Sequence, residues 1–124
     1  LTYVNVSRIF YLTRFAMGAD PAAAARKLEG VVFHVHDKDA RMERGLADGD
    51  GLMEYPPVTN TKTRTWNYVA VSCGKDWQWW KAFFSVLRMT GDEGYVSLEM
   101  EDLTMSVEAG LHTSIDALNA TISR

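Results

Sequence analysis

The sequence predicts an α/β fold with parallel strands, and three observations carry that expectation. Strand-like and helix-like segments alternate along the chain, helix start and stop signals stand between them, and two of the strands turn from apolar to charged at their C-terminal ends. Alternation of this kind favours neighbouring parallel strands joined by right-handed crossovers.

The elements follow in order. Thr2 to Phe15 is rich in β-branched and aromatic residues and is assigned as a strand, closed by Gly18. Asp20-Pro21 reads as an N-cap with proline at the first helical position. It opens a helix over Pro21 to Leu28 that contains a run of alanines and stops near Gly30. A strand begins at once, Val31 to Asp39. Ala40 to Val58 is loop-like, with Asp48-Gly49-Asp50-Gly51 and Pro56-Pro57 as turn and breaker signals. Thr65 to Val71 forms a short strand, interrupted by Ser72-Cys73-Gly74. Asp76 caps a helix over Trp77 to Met89, in which Trp80, Phe83, Phe84 and Leu87 make the buried stripe and Arg88 falls near the same spacing. The aromatic run Trp77, Trp79, Trp80, Phe83, Phe84 is read as packing rather than as a ligand platform. Gly91 and Gly94 lead into a strand over Tyr95 to Glu101. Ser106 to Ile122 is the last helix, with Val107, Leu111, Ile115, Leu118 and Ile122 expected on its buried face.

Bulk properties narrow the function. A chain of 124 residues with 47% hydrophobic content is one folded domain. Its net charge of −3 lacks the basic stripe that nucleic acid requires. Apolar runs fall short of the ~20 residues of a membrane span. Leu1 to Phe15 lacks the charged start and clean apolar core of a signal peptide. A single cysteine, Cys73, excludes a disulfide framework and points to a reducing, cytoplasmic setting, with Cys73 itself inert. The chain begins without methionine, which suggests a piece of something longer.

Chemistry concentrates at the charged strand ends. Side chains alternate along a strand, so His34, His36 and Lys38 share one face, opposite Phe33, Val35 and Asp37. Glu99 and Glu101 likewise share a face. Neighbouring parallel strands would bring His36 to Glu99. Imidazole with carboxylate is a common set of donors for Mn²⁺, Co²⁺, Zn²⁺ or Mg²⁺. The bland alternatives are a core histidine, solvated glutamates at a strand end, and an exposed Lys38–Asp39 ion pair worth under ~1 kcal/mol.

Three segments taken together resemble a known family. They are Phe33 to Asp39 with its His-Val-His-Asp-Lys-Asp run, Val71 to Asp76 before a tryptophan-rich helix, and Gly94 to Asp102 with its Ser-Leu-Glu-Met-Glu-Asp end. In this order they resemble the C-terminal part of the sugar phosphate isomerase/epimerase family, the xylose-isomerase-like TIM barrels. The likeness runs from about Gly18 to Ile122.

That resemblance implies that residues 1–124 form one partial (β/α)8 barrel domain of about the last three β/α units. It implies a divalent-metal site with His36 and Glu99 as ligands and Glu99 also moving protons. Lys38 and Arg41 would hold substrate hydroxyl or phosphate groups, with His34 one layer deeper in the substrate-binding set, and Glu101 and Asp102 behind the ligands or at the rim. The expected activity is metal-dependent isomerisation or epimerisation of a sugar or sugar phosphate. The family's aspartate ligand and substrate-contacting histidine have no counterpart at Phe10 to Thr13, and its earlier glutamate ligand has no counterpart in the chain. Two ligands of four hold a metal weakly. The alternative is a non-catalytic module that self-associates through exposed sheet edges. A metal-dependent phosphodiesterase of the same superfamily would need more ligands than three histidines supply.

Overall fold

Helix starts and stops largely fall where the capping residues place them. The computed structural model describes residues 2–4, 19–32, 34–53, 56–91 and 94–122. The expected first strand survives as β1, Thr2–Val4, and its continuation to Phe15 lies outside the described residues, as does Phe33. The Asp20 carboxylate accepts from the N–H groups of Ala22 and Ala23 and opens α1, Pro21–Lys27. Arg26 and Lys27 sit in its last turn, where cations oppose the partial negative charge of the helix end. Gly30 then turns the chain at φ 76°.

The histidine strand splits in two. β2 is Val35–Asp37 and β3 is Asp39–Met42. The segment expected to be a loop holds most of β3 and a short helix, α2, Arg44–Asp50, before β4, Trp66–Val69. α3, Trp77–Met89, is capped by Asp76, whose carboxylate accepts from the Trp79 N–H at 2.8 Å. β5 is Val96–Leu98, and α4, Val107–Thr121, is capped by Ser106.

The strand pairing overturns the expected barrel piece. One sheet runs β1-β2-β5, with β1 antiparallel to β2 and only β2 and β5 parallel. The other is a two-stranded ribbon in which β3 and β4 pair antiparallel. Three β/α units of a barrel need β1, β2 and β5 all parallel and a plain crossover from β2 to α3, whereas β1 runs antiparallel to β2. Here the chain from Asp39 to Val69 doubles back on itself instead, and the backbone N–H and C=O groups of β4 are used by β3.

The main core lies between the sheet and the helices. Trp80, Phe83, Phe84 and Leu87 of α3 pack with Ala25, Val35, Val71 and Ala117, as the aromatic spacing predicts. Full burial of such side chains contributes roughly 2–3 kcal/mol each. A second, smaller cluster, Ala40 and Trp66 with Leu52 and Tyr68, sits on the ribbon.

α4 keeps only the end of its expected face, Leu118 and Ile122, partly buried against the core. Val107, Leu111 and Ile115 are exposed, whereas Gly110, Ser114, Ala117 and Thr121 are buried. Small residues let the helix approach closely, and the hydroxyls inside are satisfied. Ser114 Oγ accepts the Val71 N–H, and Thr121 Oγ1 donates to the Ala117 carbonyl. Among the described residues no helix is long and apolar enough to cross a membrane.

Candidate functional site

The parallel register of β2 and β5 assembles the charged strand ends. His36 lies opposite Ser97, and the chain continues from β5 into Glu99, whose N–H donates to the Asp37 carbonyl. Alternation then places His34, His36, Ser97 and Glu99 on one face. His34 Nε2 and Ser97 Oγ are 2.7 Å apart, and the two imidazoles meet edge to face at 4.7 Å.

Glu99 is held on both oxygens. His36 Nδ1 lies 2.9 Å from Oε1, and Lys38 Nζ donates to Oε2 at 2.8 Å. The same ammonium reaches Glu101 Oε2 at 2.8 Å and lies 4.5 Å from the centre of the Tyr68 ring. The bland reading of Lys38 and Asp39 as an exposed pair is therefore wrong, because both are buried and their partners lie elsewhere. Burial alone would raise the Glu99 carboxyl, but the hydrogen bond and charge of Lys38, with His36, outweigh it. Its pKa is held below the usual value and Glu99 is ionised at neutral pH. The Lys38 side chain is 5% exposed against 35% for Glu99, so the carboxylate, not the ammonium, faces incoming ligand.

The other acidic residues divide by role. Asp39 Oδ2 accepts from the N–H groups of Ser72, Gly74 and Lys75, and Oδ1 from that of Ala40. Asp102 accepts from the Ala70 N–H and from Thr104, and is buried rather than at the rim. Both are structural clamps. Burial pushes the Cys73 thiol up, helped by Asp102 and Asp39, so it stays protonated near neutrality.

Of the expected site residues, His34, His36, Lys38, Glu99 and Glu101 come together. Arg41 turns to the ribbon, where its Nε and Nη2 donate to Glu43 Oε1. Tyr68 was missed because its approach to Lys38 depends on the β3–β4 ribbon, which a loop assignment hides. Ser97 alternates with Glu99 and Glu101, so its face was legible.

The donors available to a divalent ion here are His36 and Glu99. They already lie against each other at 2.9 Å, and the Lys38 ammonium takes the second Glu99 oxygen. Among the described residues no group of three His, Cys, Asp or Glu side chains comes together. As they stand, these residues do not fit a divalent ion.

No family model matches the chain. Over 108 residues, 87% of its length, it is 61% identical to the uncharacterized protein YfiH of Bacillus subtilis (strain 168). The match takes in 34% of that relative, so the chain corresponds to about a third of a longer protein's length.

Proposed function

We propose that this chain carries a proton-transfer site for a sugar or sugar phosphate, the isomerase or epimerase chemistry of the family its motifs resemble. The carrying observation is Glu99, ionised and fixed on both oxygens by His36 and Lys38. A carboxylate so placed takes the proton from a carbon next to a carbonyl and returns it after rearrangement. Lys38 keeps Glu99 ionised and also pairs with Glu101, while His36 packs its Nδ1 against the other Glu99 oxygen. No step is assigned to a metal. A cytoplasmic role in carbohydrate metabolism fits a chain with one cysteine.

The test is solvent deuterium uptake at C2 of aldose and ketose sugars and their phosphates, followed by NMR with and without Mn²⁺, Co²⁺, Mg²⁺ or Zn²⁺. Uptake is expected to fall at least ~100-fold in Glu99→Gln. Uptake that Glu99→Gln leaves unchanged overturns the reading.

A second reading, a self-associating module without chemistry, draws on the exposed ridge Val107, Leu111 and Ile115 and on the unpaired outer edge of β5 among the described strands. Sedimentation across a concentration series separates the two. A concentration-dependent dimer with no deuterium uptake favours the module.

A further inference from the structure

A cleft of about 400 Å³ opens between α2 and the 61–67 segment, outside the His36–Glu99 pair. Three cations line it, Arg41, Arg44 and Lys62, against one carboxylate, Glu43. The carboxylate is already matched within the wall. Its Oε1 accepts from Arg41 Nε and Nη2 and from Asn67 Nδ2, the last at 3.0 Å. The hydrogen bond from Asn67 and the pairing with Arg41 hold Glu43 below the usual carboxylate range despite its partial burial, so it neither takes a proton nor repels as a lone charge.

Asn67 is itself buried, and its Nδ2 also donates to the Thr61 carbonyl at 2.9 Å, which fixes the far wall. Arg41 is thereby held in place with its Nη1 group unbonded among the described residues. Arg44 has only a 3.6 Å contact with Asp48, both of them well exposed. Lys62 has no ion pair among the described residues. A concave site with this excess of positive charge, in a chain of net charge −3, is suited to an anion.

We propose that this cleft binds the oxyanion group, phosphate or carboxylate, of a small metabolite, with Arg44 and Lys62 as its main contacts and Arg41 as the fixed third. The inference does not depend on proton transfer at Glu99. The experiment titrates the chain with inorganic phosphate, malonate, sodium chloride and glycerol at matched ionic strength, read by amide chemical shifts. Saturable shifts around residues 41–46 and 61–67 are expected with phosphate or malonate and not with chloride or glycerol.

Arg44→Gln and Lys62→Gln are each expected to weaken binding about tenfold, with an unchanged melting curve because both side chains are exposed. A tenfold preference for phosphate assigns a phosphoryl group, and the reverse assigns a carboxylate. Glu99→Gln keeps the binding, whatever it does to deuterium uptake. Shifts that do not saturate, that chloride reproduces, or that the Arg44→Gln, Lys62→Gln double variant leaves unchanged overturn the proposal.

Discussion

Asp37 and Asp39 stand two residues apart, both buried, in opposite electrostatic situations. Asp39 accepts four backbone N–H groups, whereas neither oxygen of Asp37 has a hydrogen bond among the described residues. Burial, with Asp39's charge adding, pushes the Asp37 carboxyl up to about 8. A folded-state pKa above the unfolded one means stability that is present in acid and lost as pH rises through the folded value. The window here runs from about pH 4 to about pH 8, with a slope of no more than about 1.4 kcal/mol per pH unit. Asp37→Asn removes that slope. Urea unfolding should find the variant more stable than the parent at pH 8 and nearly equal at pH 4. Glu99 has the opposite sign, because Lys38 and His36 lower it against burial. Lys38→Met should return the Glu99 carboxyl toward or above its ordinary value, visible in a ¹³C carboxyl titration. The shared face of His34, His36 and Lys38 was legible because strand alternation is a local rule. The separate fates of the two aspartates were not, since Asp39 finds three of its four donors more than thirty residues later.

The two long helices show what periodicity can and cannot decide. In α3 the large aromatic side chains fall at helical spacing, and burying them dominates any alternative, so the stripe is read correctly. In α4 the stripe Val107, Leu111, Ile115 is equally regular yet exposed. A close approach by Gly110 and a hydroxyl at Ser114 that accepts the Val71 N–H select the other face. The helix α2 escaped notice because its first turn lacks a side-chain cap, it buries no residue, and it is rich in glycine and aspartate. The packing of α4 makes an unusual expectation. Leu111→Gln and Ile115→Gln should each shift urea stability by no more than about 0.5 kcal/mol. Ser114→Ala, the smaller change in volume, should cost about 1–3 kcal/mol because it strands the buried Val71 N–H.

At the scale of the molecule, the two apolar clusters are stitched by polar contacts. The order of the longer elements was readable from caps and spacing, but β3, α2 and the sheet connectivity were not, because alternation predicts parallel neighbours and does not register a ribbon that doubles back. Asp39 sits at that junction. Its carboxylate ties the start of β3 to the 72–75 loop that leads into α3, and it holds Ser72 at φ 77°, a left-handed conformation costing roughly 1–2 kcal/mol. Gly74 packs so closely there that a Cβ would lie 2.3 Å from the Ala40 carbonyl oxygen. Asp39→Ala leaves four backbone donors without their acceptor, at about 1–3 kcal/mol for each that stays buried. Relaxation of the loop toward water should reduce the total to roughly 3–5 kcal/mol, the range for breaking a buried charged network. The loss should also be local in kind. Hydrogen exchange in Asp39→Ala should accelerate first at Ser72, Gly74, Lys75 and across β3–β4, while amides of α3 keep protection closer to the global value. Asp39→Asn, which retains one carbonyl acceptor, should fall between parent and alanine variant and remain folded if alanine does not. Exchange that accelerates evenly over ribbon and helices in the asparagine variant would show that the two clusters unfold as one unit, with the carboxylate contributing to global stability and not to the joint between them.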